Sequence, residues 1–86
     1  MDEVKDILNN LGYRVLDTGR DYRTKPLYRE SSSNTVLSIN KSTGRWIDFK
    51  EQRYGSLEEL IQITLNLKTI DDAKEYLSSN FKFQPV

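Results

Sequence analysis

The sequence predicts an α+β domain in the order helix, irregular segment, β-hairpin, then two further helices. Three observations predict it. Val4, Ile7, Leu8 and Leu11 recur at i, i+3, i+4 and i+7, which lines up one face of a helix. The run Thr35-Val36-Leu37-Ser38-Ile39 and the run Arg45-Trp46-Ile47-Asp48-Phe49 are rich in β-branched and aromatic residues and flank a short turn. Downstream, Ser56 with Glu59 and Thr69 with Asp72 are two capping signals, each ahead of an apolar stripe.

The first helix is expected over residues 2–11. Asp2 can cap its start, and Gly12 can end it. Residues 13–16 can form a short strand. Residues 17–26 are polar, contain Gly19 and Pro26, and read as an irregular loop. Residues 27–29 can begin a strand, which Pro26 confines to an edge or a strand start.

Residues 35–39 and 45–49 form the hairpin, and Asn40-Lys41-Ser42-Thr43-Gly44 the turn between them, with Gly44 suited to positive φ. Leu37 and Ile39 share one face. Ile47 and Phe49 are expected to do the same on the partner strand, which leaves Trp46 and Asp48 opposite them. Gly55 breaks the chain before the second helix, whose stripe is Leu57, Leu60, Ile61 and Leu65. The third helix turns Ile70, Ala73, Tyr76 and Leu77 inward, and Phe81 and Phe83 are expected to fold back onto the core. No repeat or low-complexity stretch divides residues 1–86, so one continuous domain is expected.

Composition excludes several classes of function. At 86 residues only about 60% of the unfolded surface is buried on folding, so the core is thin. The chain has no Cys and no His, so disulfides, thiolate or imidazole metal sites, and Ser-His, Cys-His or HExxH chemistry are all absent. No Walker loop or other catalytic signature is present, and no enzyme is expected within these residues. No apolar run approaches the ~20 residues of a membrane span. The first residues, Met-Asp-Glu-Val-Lys-Asp, are polar and acidic, unlike a signal peptide. A soluble, cytoplasmic protein is the expectation.

Thirteen basic and thirteen acidic side chains cancel overall. They are segregated. Residues 13–54 hold nine basic and five acidic side chains, a balance of +4, and the two ends carry the compensating −4. A basic middle in a polar chain can serve a nucleic-acid surface or be ordinary solvated charge.

The run Leu27-Tyr28-Arg29-Glu30-Ser31-Ser32-Ser33-Asn34-Thr35-Val36-Leu37-Ser38-Ile39-Asn40 resembles a stretch near the N-terminus of bacterial and phage DNA primases. There the family has Cys-Pro-x-His, a short polar stretch, Pro-Ser and a strand. The continuation from Gly44 to Ile61 is similar to the rest of that zinc ribbon: a strand, Cys-x-x-Cys, a Gly and a helix. The likeness covers roughly residues 26–80, with the 2–11 helix ahead of it. The family's four zinc ligands fall on Leu27, Glu30, Asp48 and Glu51, none of which is a thiolate or an imidazole. The resemblance therefore implies a zinc-ribbon-like fold without zinc and without another cofactor. Apolar packing by Leu27, Trp46, Phe49, Phe81 and Phe83 is expected in place of the clamp. The three carboxylates leave a hard-cation site as an alternative, against which Arg29, Lys50 and Arg53 stand ready as ion-pair partners.

In function, the resemblance implies a module that binds template single-stranded DNA and assists primer initiation, with polymerisation in a separate domain. The candidate nucleic-acid-binding residues are Tyr28, Arg29, Lys41, Arg45 and Trp46. Cations contact phosphates and flat rings stack bases. Lys41 and Arg45 sit at the hairpin turn. Trp46 stacks a base if Ile47 and Phe49 face inward, and packs in the core if helices cover its side. A replicative helicase or the primase catalytic domain is the implied protein partner. A protein-interaction module and a stand-alone phage regulator of the same fold are the alternatives.

Overall fold

Each helix forms where a capping group meets an apolar stripe. The computed structural model describes residues 3–80, so the expectations for Asp2, Phe81 and Phe83 lie outside the described residues. Helix α1 (Glu3–Leu11) buries Val4, Ile7 and Leu8, and its C-terminus is closed by Gly12 at φ 104°. Helix α2 (Leu57–Leu65) is capped by Ser56, whose side chain accepts the Glu59 N–H, and it ends at Asn66 in the left-handed region. Helix α3 (Ile70–Asn80) begins after Thr69, whose hydroxyl accepts the Asp72 N–H at 3.2 Å.

The strands exceed the expected hairpin. β1 (Leu16–Asp17), β2 (Asp21–Thr24), β3 (Leu37–Asn40), β4 (Trp46–Asp48) and β5 (Arg53–Gly55) form one antiparallel sheet in the order β1-β2-β3-β4-β5. The segment expected to be an irregular loop thus supplies β2, and residues 27–29 are irregular rather than a strand start. Thr18 and Asp17 explain the difference. The Asp17 carboxylate accepts the Gly19 N–H at 2.8 Å, and the Thr18 hydroxyl donates to the Asp21 carboxylate at 2.5 Å. These local bonds tighten residues 17–21 into a turn that folds β2 back on β1.

Side-chain alternation divides the sheet into two faces. The inner face carries Tyr22, Ile39 and Trp46 in one cross-strand row, and Thr24, Leu37 and Asp48 in the next. All six are buried. Val4 and Leu8 of α1, Leu60 of α2 and Tyr13 pack against this face. Ile7, Leu57, Ile61, Ala73 and Leu77 form a second cluster that binds the three helices to one another. Gly44 allows the β3–β4 turn to approach α2: it sits at φ 78°, and a Cβ there would fall 2.8 Å from the Leu57 Cβ.

The expected phase of β4 is therefore corrected. Trp46 is 4% exposed, whereas Ile47 and Phe49 are 38% and 51% exposed. Turn closure is the cause. Asn40 donates its N–H to the Arg45 carbonyl at 2.7 Å, so residue 39 pairs with 46, and Trp46 falls on the side of Ile39. The indole N–H donates to the Ser56 carbonyl at 2.8 Å, which satisfies the one polar atom that its burial takes from water.

Candidate nucleic-acid interface

The outer face of the sheet is the consequence of that phase. Reading across the strands, Leu16, Arg23, Ser38, Ile47 and Tyr54 occupy one continuous row. With strands ~4.8 Å apart, the row runs about 19 Å. The described helices pack on the opposite face, and the row stays open: Leu16 is 52% and Tyr54 77% exposed. Phe49 lies beside the row, with the Arg23 guanidinium 5.0 Å from its ring centroid. Toward the turn end, Asp21 pairs with Asn40, and Arg45 lies opposite Asn40 across the hairpin closure.

Charge around this face is mixed and mostly positive. Arg20 and Arg45 are exposed, and neither has an ion pair among the described residues. A cleft of about 270 Å3 lies between them, with Asp21, Ser38 and Ile47 among its walls. A second cleft, of about 340 Å3, lies on the other side of Arg45, against Tyr54, Ser56 and Glu59. Asp21 is held in place by Arg23 Nε at 2.8 Å and by the hydroxyls of Ser38 and Thr18. Burial alone would raise its carboxyl, but these three donors and the Arg23 charge outweigh it and bring it down to about 2. Arrays of cations beside exposed rings can hold phosphates and stack bases.

Of the five residues expected to contact nucleic acid, only Arg45 stands free at the surface. Lys41 reaches across to Asp17 at 2.8 Å and lies 5.2 Å from the Tyr22 ring centroid. Trp46 is buried, with Tyr28 tilted against it at 5.8 Å between centroids. The Tyr28 hydroxyl donates to Asp48 at 2.7 Å, and Arg29 donates to the same carboxylate through Nε at 2.9 Å and Nη2 at 2.8 Å. Tyr28, Arg29 and Trp46 thus belong to the inner side, away from the open row.

Sequence reasoning missed Tyr54 and the outward turn of Ile47 and Phe49. The available signal was turn closure. A hydrogen-bonded pair at 40 and 45 forces 46 onto the side of 39, and the next hairpin then carries Tyr54 to the side of Ile47.

Asp48 is the centre of the inner side. It is fully buried and accepts five hydrogen bonds, three from Tyr28 and Arg29 and two from the backbone N–H groups of Lys50 and Glu51. Burial would raise its carboxyl, but the donors and the Arg29 charge hold it below the usual range. Burial and the bond to Asp48 together push the Tyr28 hydroxyl well above its ordinary value. Glu51 adds a contact to Arg29 Nε at 3.2 Å, and Glu30 offers Arg29 its backbone carbonyl at 3.1 Å. Two of the expected carboxylates therefore converge on a guanidinium. Among the described residues no group of three or more acidic, His or Cys side chains is placed to hold a metal ion. Leu27 does not take over the clamp by packing, since it is 42% exposed. Phe49, also expected in the core, faces solvent.

Among the described residues no helix is long and apolar enough to cross a membrane. Comparison with family models, curated proteins and solved structures finds no match to this chain.

Proposed function

We propose that this chain is a non-catalytic module that binds template single-stranded DNA through the open face of its sheet, as a metal-free relative of the primase zinc ribbon that assists primer initiation. One observation carries the reading. The row Leu16–Arg23–Ser38–Ile47–Tyr54 stays open to solvent beside Phe49, with Arg20 and Arg45, which have no ion pair among the described residues, at its turn end. Every base has a π-face, so an exposed tyrosine supports binding of unpaired strands of any sequence. The likeness of residues 26–80 to the primase ribbon supports the same function from the sequence side. In this reading the Arg29–Asp48 pair replaces the zinc clamp, and Arg45 is the one expected contact residue that keeps its role.

Fluorescence anisotropy with labelled single-stranded 10-mers at low salt tests the reading. Tyr54→Ala is expected to weaken binding by about 1–3 kcal/mol, the worth of one base stack. Each phosphate contacted contributes about −0.7 to the slope of log K against log salt, so Arg45→Ala should flatten that slope by nearly one contact. Absence of binding at high micromolar concentration overturns the reading. The exposed apolar side chains Leu16, Ile47 and Phe49 would then favour the second possibility, a protein-interaction module in a replication complex.

A further inference from the structure

The cleft between Arg20 and Arg45 has a chemical polarity that a plain single-strand platform lacks. Asp21 stands in its wall as a carboxylate that is 18% exposed and accessible from the open face. An ionised carboxylate has about four acceptor positions. Three are occupied: Arg23 Nε and the Ser38 hydroxyl on Oδ2, and the Thr18 hydroxyl on Oδ1. Oδ1 thus carries one donor where Oδ2 carries two. The same three donors fix the orientation of the group, so the carboxylate in the cleft wall is held in place before any ligand arrives. Arg20 and Arg45, on either side, supply the positive charge that brings a phosphodiester close to this acid.

We propose that this cleft is a base-reading subsite: it admits a nucleobase bearing an exocyclic amino group, which donates to the Asp21 carboxylate, while Arg45 and Arg20 hold the flanking phosphates. The proposal rests on single-strand binding by the open face and adds selectivity to it. Cytosine presents an N4 amino donor that suits a carboxylate acceptor. Uracil presents a carbonyl oxygen at the same place, which faces the carboxylate lone pairs and is repelled. Ile47 gives the base an apolar wall, and the cleft volume of about 270 Å3 is on the scale of one nucleotide unit rather than a longer segment. The carboxyl, at about 2, stays ionised throughout the neutral range, so the acceptor is permanently present.

Deoxycytidine and deoxyuridine 10-mers, compared by anisotropy at pH 7.5 and low salt, test the subsite without altering the protein. The dC strand is expected to bind at least about fivefold more tightly than the dU strand, the lower end of discrimination by a base-edge contact. Asp21→Asn keeps the side-chain shape but places an amide in the cleft, and is expected to bring the two affinities together; a thermal melt checks its fold. Equal binding of dC and dU by the unaltered protein overturns the subsite and leaves single-strand binding standing. A preference that persists unchanged in a folded Asp21→Asn variant also overturns it. If neither strand binds at high micromolar concentration, the open-face reading and the subsite fall together.

Discussion

Arg29 grips Asp48 with two nitrogens, at 2.9 and 2.8 Å, at a position where the carboxylate has no exposure and the guanidinium side chain only 15%. This pair joins the irregular segment before β3 to the turn between β4 and β5. The same carboxylate accepts the N–H groups of Lys50 and Glu51 and so shapes that turn. Removing one member of a buried ion pair costs roughly 3–5 kcal/mol, because the other is left uncompensated. Asp48→Asn can still accept the turn N–H groups through its one oxygen, but it loses the charge and the second oxygen that accepts from Arg29 Nε and Tyr28. The expected result in urea denaturation is a loss of about 3 kcal/mol, with a melting midpoint lower by roughly 10 °C or more in a domain this small. Tyr28→Phe, which removes one hydrogen bond to the same oxygen, should cost only about 1–2 kcal/mol.

Trp46 and Tyr54 separate stability from binding. Trp46 lies in the core against Tyr28, and Tyr54 is 77% exposed on the opposite face. Trp46→Ala is expected to lower stability by about 3–5 kcal/mol. Tyr54→Ala should change stability by less than about 0.5 kcal/mol, as is usual for surface positions, while weakening single-strand binding. Paired denaturation and anisotropy measurements check both. A stable Trp46→Ala protein would contradict the buried indole.

Gly44 serves both conformation and packing. At φ 78°, with Leu57 within 3 Å of any added Cβ, it tolerates neither the backbone strain nor the volume of a side chain. Gly44→Ala is expected to destabilise by more than about 1 kcal/mol in urea melts. Gly19, also at positive φ, has open space around it, so Gly19→Ala carries only the conformational part and should be milder.

Stability should fall in acid. Asp21 and Asp48 both have depressed carboxyls in the folded protein, against about 3.9 when unfolded. A depressed carboxyl contributes stability that is complete above the unfolded value and is lost as pH falls toward the folded one. The urea midpoint is therefore expected to be flat from pH 7 to about 5 and to drop between about 5 and 2. The Asp21 share is about 1–2 kcal/mol after allowing for screening at its partly exposed position. Asp48→Asn should flatten the curve in that window.

The helices were legible because their signals are local. Ser56 and Thr69 cap the helices they were expected to cap, and the 3.6-residue stripes bury Val4, Ile7, Leu8, Leu57, Leu60, Ile61, Ala73 and Leu77. Strand β3 and the turn at Gly44 were equally readable. Strands β1, β2 and β5, with the sequences LD, DYRT and RYG, are as short as β3 and β4 but lie in polar stretches without the flanking β-branched and aromatic run that marked the hairpin.

The face assignment of β4 was a different problem. Trp46 lies on one phase of that strand, and Ile47 and Phe49 on the other, so either side looks apolar enough for the core. Local sequence determined which residues make helices, turns and the central hairpin, because capping and periodicity act within a few residues. Only the tertiary structure decided that the indole goes inside, that Asp48 goes with it to meet Arg29, and that Tyr54 remains in water. Those outcomes depend on cross-strand register, and register is set by how the turn closes and by which face the helices cover.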